Sequence, residues 1–377
     1  MSAKKHIETH TDSDHQPELN KYFNAAVKTQ ASDLHLKKGQ PPKLRVYGQL
    51  KNTTGEVMSQ ERIEQLVFEI LSPAQKELFL KHGTLDFAYE LENEHRFRIN
   101  IFRQRGAISL SARRVNSTIP PFEDLHLPTV LEKIVDTGQG LVLVVGPTGC
   151  GKTTTIASMI DHINSTRSCH IITIEDPIEY TFKDNKAIIS QREVGIDVAT
   201  FDEALRHMMR QDPDVVFVGE MRDAETVTAG MRAAETGHLV FGTLHSANAS
   251  QSVQRILDLF PPNERGLVRQ TLSLTIRAII SQILLPCIRE GVDRIPAVEI
   301  LLGNSTVRKL IAEEREADLP SVIRSCQNEG MQDFTYHLVE LIKNGSIDPK
   351  DAYHYAPNKD ELKMALKGIR GSVSGIL

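Results

Sequence analysis

The sequence predicts an α/β protein with a smaller α+β domain ahead of it, and three observations carry that prediction. First, after Leu127 the chain alternates helical segments with fully apolar stretches at Gly140–Val145, His170–Ile174, Val215–Val218 and Leu239–Thr243. Continuous apolar strands separated by helices indicate a parallel sheet covered on both faces. Second, the stretch up to Asn116 reads as short pieces in the order helix, strands, helix, strands, which is the pattern of a mixed sheet domain. Third, Ile119-Pro120-Pro121-Phe122 has neither period and separates the two patterns as a linker. The 377 residues, 40% hydrophobic and 25% charged, are enough for two folded domains.

In order along the chain, residues 1–18 are rich in His, Asp, Ser, Thr and Lys and are expected to form a disordered tail. The domain over 19–116 is expected to hold helices at Asn20–Thr29 and Ser59–Leu71. Its strands are expected at Asp33–Lys37, Leu44–Tyr47, Leu85–Leu91, Glu94–Phe102 and Ala107–Arg114. A linker over 117–125 leads to the second domain at 126–355, which is expected to be mainly helical from Asn263 onward. A Lys-bearing tail over 356–377 follows.

Composition excludes several classes of protein. The longest apolar runs, such as Gly140–Gly146 and Ala278–Cys287, fall well short of the roughly 20 residues that cross a bilayer. The polar N-terminus lacks the apolar core of a secretory signal, so a cytoplasmic location is expected. Cysteines at 150, 169, 287 and 326 have no pair at zinc-site spacing. A net charge of -5 argues against general nucleic-acid binding.

The chemistry begins at Gly146-Pro147-Thr148-Gly149-Cys150-Gly151-Lys152-Thr153, which follows an apolar strand and opens a helix, the context a phosphate-binding loop requires. Glycines let successive backbone N–H groups turn toward phosphate, and the helix N-terminus adds partial positive charge. Lys152 is expected to contact the β- and γ-phosphates of ATP, Thr153 to ligate Mg²⁺, and Thr154 to lie within the same binding segment. Three further strand ends carry polar groups to the edge where open α/β sheets bind ligands. Ile174-Glu175-Asp176-Pro177-Ile178-Glu179 is acidic just where Pro177 stops a strand. Val215–Val218 leads through Gly219 to Glu220, a carboxylate able to hold Mg²⁺ or orient water. The strand at Leu239–Thr243 leads through Leu244 to His245, a candidate donor to the γ-phosphate.

Taken in order, these four motifs resemble the secretion ATPases of type IV pilus and type II and IV secretion machines: a Walker A loop, an acidic box, an atypical Walker B and a histidine box. The resemblance spans about Tyr22 to Leu341 and is strongest to the pilus retraction ATPases of the PilT and PilU type. Ser32-Asp33-Leu34-His35-Leu36 and Arg96-Phe97-Arg98-Ile99-Asn100 match their N-terminal PAS-like domain. Thr306–Ile311 resembles their C-terminal "AIRNLI" motif, keeping Arg308, Leu310 and Ile311 and differing at three positions. The resemblance implies a RecA-like P-loop ATPase core in a ring hexamer that hydrolyses ATP with Mg²⁺ to drive pilus retraction and twitching motility. It implies Glu179 as general base, Glu220 for Mg²⁺ and water, His245 near the γ-phosphate, and Arg98 and Arg113, with Arg103 a weaker candidate, as arginines that reach the nucleotide. Implied partners are other copies of the chain, an inner-membrane pilus platform protein at the cytoplasmic face and a paralogous retraction ATPase. A Dot/Icm-type secretion ATPase and a nucleotide-binding accessory subunit of a retraction motor remain open alternatives, and a RecA-like nucleic-acid motor is disfavoured by the acidic charge.

Overall fold

The computed structural model describes residues 16–46, 48–92 and 95–368; the expectations placed on 1–15, on the strand ends at Tyr47 and Glu94, and on 369–377 lie outside them. The chain divides into two compact units after Asn116.

In the N-terminal unit, α1 (Asn20–Lys28) buries Asn20, Phe23 and Ala26, the i, i+3 spacing of one helical face. It is followed by β1 (Asp33–Leu36), β2 (Lys43–Val46) and β3 (Gln49–Asn52). Then come α2 (Gln60–Glu69), whose first turn is capped by the Ser59 hydroxyl accepting from the Arg62 N–H, and α3 (Pro73–His82). The sequence reading passed over α3, yet its signals are local: Ser72 and Gln75 form a reciprocal capping box, Pro73 opens the first turn, and Gly83 ends it at φ 74°. The long strands β4 (Thr84–Leu91), β5 (His95–Gln104) and β6 (Ala107–Arg114) complete an antiparallel sheet of order β3-β2-β1-β6-β5-β4. Its core is built on Phe23, Phe79, Phe97, Leu34 and Ile99, each essentially fully buried. Glu18 is tied to this unit, its N–H donating to the Glu69 carboxylate and its own carboxylate pairing with Arg62 and Lys21.

In the C-terminal unit α4 (Val130–Val135) precedes β7 (Gly140–Val145), and α5 (Lys152–Thr166) follows it. Next come β8 (His170–Glu175), β9 (Ile188–Glu193), α6 (Phe201–Met208), β10 (Val215–Val218), α7 (Ala224–Glu235), β11 (Leu239–Leu244), α8 (Ala249–Asp258) and α9 (Arg265–Thr275). The sheet runs β13-β12-β7-β11-β10-β8-β9, where β12 is Ile276–Pro286 and β13 is Arg294–Leu302. β7 pairs in parallel with β11 and β12, and β10 in parallel with β11 and β8. Alternate residues of β7 feed two different cores: Leu141, Leu143 and Val145 pack on the side of α7 to α9, and Val142 and Val144 on the side of α4 and α5. That double burial is why the strand reads as unbroken apolar sequence.

Two features depart from the sequence reading. The segment after Asn263 is mainly helical as expected, but it also holds β12 and β13, an antiparallel hairpin that the sequence reading passed over and that joins the sheet through β12 and β7. Both strands are almost wholly buried, so neither shows a two-residue alternation, and such an apolar run looks like a buried helix. The helical part proper is α10 (Ser305–Ala312), α11 (Leu319–Ser325), α12 (Phe334–Lys343), α13 (Pro349–Tyr355) and α14 (Lys359–Leu366). Over α14 the segment expected as a tail packs into the unit, with Leu362 fully buried in a cluster with Leu338 and Ile347.

One buried carboxyl in this unit yields a pH prediction. Glu299 on β13 accepts from the Ala249 N–H at the start of α8 (2.8 Å), and burial pushes it from its ordinary 4.5 up to about 7. Because the folded state holds this proton more tightly than the unfolded chain, the associated stability is full below about pH 4.5 and is lost as pH rises through about 7. The loss is at most about 3 kcal/mol. Glu299→Gln keeps an acceptor for Ala249 without an ionisable group. It is expected to melt at or above the wild type at pH 8 and to show no such advantage at pH 5, as thermal unfolding at both pH values will record.

Candidate active site

The register of the parallel strands sets the site. Val145 of β7 lies opposite Leu244 of β11, and Val218 of β10 opposite Ile174 of β8, so the residues following these strands emerge on one edge. A cavity of about 860 Å³ opens there, lined by Thr148, Gly149 and Gly151 to Thr155 from the loop, together with Glu175, Glu179, Glu220 and His245. The structure therefore brings Lys152, Thr153, Thr154, Glu179, Glu220 and His245, taken from four separate motifs, around one space.

The loop is held from below by β12. Gln282 donates through Nε2 to the Cys150 carbonyl (2.6 Å) and accepts from the Thr155 hydroxyl (2.8 Å), a clamp across the loop and the first turn of α5. At Gly146, with φ 150°, an added Cβ would stand 2.3 Å from the Gln282 carbonyl oxygen and 2.6 Å from the Cys150 sulfur. Only glycine lets the chain leave β7 this close to β12. Gly149, by contrast, has open space where a Cβ would be, on the cavity side of the loop. Gly146, Pro147 and Cys150, expected among the binding residues, do not line the cavity. Cys150 is buried beneath the loop, and that burial pushes its thiol up. Lys152, itself buried, donates from Nζ to the carbonyls of Gly146 (2.9 Å) and Pro147 (3.1 Å), so its ammonium arches over the loop it belongs to.

Glu220 and His245 face each other at 3.4 Å (Oε1 to Nε2), and Arg222 grips the other carboxylate oxygen at 2.6 Å. Burial resists ionisation of Glu220, but the hydrogen bond and charge of Arg222, with His245 and Lys152 behind it, hold its carboxyl below the usual range. His245 is pushed down, first by burial and then by the Lys152 charge, with Glu220 pulling the other way. Its imidazole is therefore neutral at neutral pH. The atypical glycine before Glu220 also has a steric cause: a Cβ on Gly219 would meet the Glu175 Cα and the Ile174 carbonyl oxygen at 3.2 Å, closer than ordinary contact.

Glu179 is exposed on the cavity wall, in the loop that follows the cis Asp176–Pro177 peptide. Glu175, four residues earlier, is buried at the end of β8, and burial pushes it up to about 7 despite hydrogen bonds from Thr173, Gln191 and the Glu179 N–H. Neither Glu175 nor Gln282 was assigned a role from sequence. Glu175 stood inside the acidic segment and was overshadowed by Glu179, and Gln282 lay in a stretch read as helix.

The candidate arginines belong to the N-terminal unit. Arg98 on β5 and Arg113 on β6 are direct cross-strand partners, and Arg113 Nε donates to Asp33 on β1 at 2.9 Å. Arg103 is exposed, its guanidinium 5.6 Å from the centre of the Phe79 ring.

Among the described residues no group of three or more acidic, histidine or cysteine side chains is arranged to hold a metal ion by itself. The donor set in the cavity suits Mg²⁺ nonetheless. A hydroxyl at Thr153 and a carboxylate at Glu220 are the one or two protein oxygens that this ion takes when phosphate and water supply the rest. No helix among the described residues is long and apolar enough to cross a membrane.

Residues 8–344 match the family model described as Type II/IV secretion system protein. The chain is 40% identical over 327 residues to the type IV pilus retraction ATPase PilT of Pseudomonas aeruginosa, covering 87% of this chain and 94% of that one. It is 41% identical over 321 residues to a twitching motility protein of Neisseria gonorrhoeae, covering 85% and 86%. It is 36% identical over 350 residues to the type IV pilus ATPase PilU of Pseudomonas aeruginosa, covering 93% and 91%. Among solved structures it superposes on the pilus retraction motor PilT with bound ADP at a TM-score of 0.83, with 43% identity over 92% of this chain and 99% of the other. The Legionella pneumophila ATPase DotB follows at 0.71 and 28% identity, over 90% and 95%. With the family model matched over most of the chain and these relatives matched over most of their own length, the protein belongs to the Type II/IV secretion system protein family and is one of its ATPases.

Proposed function

We propose that this protein is a Mg²⁺-dependent motor ATPase that works as a homohexamer to power type IV pilus retraction and twitching motility. One observation carries the reading: a single cavity collects the phosphate loop with Glu179, Glu220 and His245. The relatives named for pilus retraction and twitching give that chemistry its mechanical use.

In this reading Lys152 and the loop N–H groups bind the phosphates of ATP, with Thr154 beside them. Thr153 and Glu220 hold Mg²⁺, which when bound neutralises charge on the phosphate oxygens. Glu179 takes the proton of the attacking water, and neutral His245, kept in place by Glu220, offers an N–H to the γ-phosphate. Arg98 and Arg113, with Arg103 secondary, add positive charge to the transferred group, the role arginine plays in phosphoryl transfer generally. The motor acts at the cytoplasmic face of the inner membrane on a pilus platform protein, alongside a paralogous retraction ATPase.

Deleting the gene tests this reading. Cells should remain piliated but lose twitching, and the wild-type chain should restore it while Lys152→Ala should not. Normal twitching together with a secretion defect would overturn retraction in favour of a Dot/Icm-type role.

A further inference from the structure

The loop that carries Glu179 has no regular secondary structure between β8 and β9, apart from a bridge at Tyr180. A side chain used as a base must nevertheless stand in a reproducible position, because small misplacements cost large factors in rate. Asn164 of α5 holds the second half of the loop through the Lys183 carbonyl and the Asn185 N–H, and around Glu179 itself two other side chains do the holding. Gln191, on edge strand β9, donates from Nε2 to the Tyr180 carbonyl (2.8 Å) and accepts at Oε1 from the Phe182 N–H (2.9 Å). In this way its amide pairs with the loop as a neighbouring strand would. The same Nε2 reaches the Glu175 carboxylate at 3.2 Å, and the Thr173 hydroxyl donates to that carboxylate at 2.7 Å. Glu175 in turn accepts from the backbone N–H of Glu179 itself. On the far side, the Tyr180 hydroxyl is 2.9 Å from the hydroxyl of Thr154, in the first turn of α5.

We infer that Gln191 and Glu175 are positioning residues for ATP hydrolysis: together they set where the Glu179 carboxylate stands relative to the phosphate loop. This rests on the reading of Glu179 as general base. Glu175 is buried and Gln191 half-buried, and their polar atoms are spent on this one loop. A buried carboxylate is costly to keep, and here its hydrogen bonds go to Thr173, Gln191 and the residue that faces the cavity. The Tyr180–Thr154 contact extends the same restraint to the nucleotide-binding turn, so loop and phosphate site share one frame.

The test uses Gln191→Met, which fills similar volume with none of these three hydrogen bonds, beside Glu179→Gln and the double variant, all as full-length chains. Turnover, KM for ATP, affinity for a fluorescent ATP analogue and melting temperature are measured for each. Positioning predicts that Gln191→Met loses about 10- to 100-fold in kcat, keeps ATP affinity within about threefold and melts within a few degrees of wild type. It also predicts that the double variant is no slower than Glu179→Gln alone. Full turnover in Gln191→Met beside an inactive Glu179→Gln overturns the positioning role and leaves the base assignment standing. A kcat loss matched by an equal loss of ATP affinity or of folding overturns it in favour of a merely structural role. An active Glu179→Gln removes the base assignment and the positioning role with it.

Discussion

Lys152→Ala is expected to lower ATP affinity by about 10- to 100-fold, as titration with a fluorescent ATP analogue will measure. A charge-assisted hydrogen bond to phosphate in a partly desolvated site contributes about 1.5–3 kcal/mol, and the ammonium also supplies long-range attraction. Lys152 is well placed for this because its charge is already held over the loop by the carbonyls of Gly146 and Pro147. The substitution leaves those two carbonyls without their donor and removes the cation that helps to depress His245. The His245 titration in the variant should therefore move upward, which proton NMR of the imidazole will show. Affinity within about threefold of wild type would mean that phosphate is bound elsewhere.

Much of this site was legible in the sequence because its parts are short and local. A strand that ends in a Gly-rich turn before Lys-Thr needs no tertiary information, and the strand-end positions of Glu220 and His245 follow from apolar runs of four to six residues. The family likeness, the α/β core and the parallel strands β7, β8, β10 and β11 were read correctly. What escaped was set by contacts distant in sequence. Gln282 acts on a loop more than a hundred residues before it, and nothing near residue 282 announces that partnership. Gln191 and Glu175 likewise acquire their meaning only when β9 pairs with β8.

The fold reading failed where pattern was ambiguous. β12 and β13 are buried on both faces, so they lack the alternation that marks a half-exposed strand, and their apolar content passed for helix. β3 erred in the opposite way: Gln49–Asn52 is exposed along its whole length, so no apolar residue on a buried face betrays it. It is a strand because β2 pairs with it, not because its residues demand one. α3 was missed although its caps were present, since its apolar positions Leu78 and Leu80 are exposed and only Phe79 is fully buried, which blurs the helical period.

The measurement that bears most directly on ATP hydrolysis at this cavity is steady-state turnover of the purified chain with Mg²⁺, wild type beside Glu179→Gln, with ATP-analogue affinity recorded for both. Glu179 lines the cavity on an exposed side chain while its backbone is tied to Glu175, so exchanging carboxylate for amide removes a base without disturbing a buried group. General-base catalysis contributes about 10²–10⁴ in rate. The expected result is therefore a wild type that turns over ATP only with Mg²⁺, and a Glu179→Gln chain that binds the analogue equally well but is slower by a factor in that range. A Glu179→Gln chain that hydrolyses ATP at the wild-type rate, or a wild type that binds nucleotide without turning it over, would contradict the assignment.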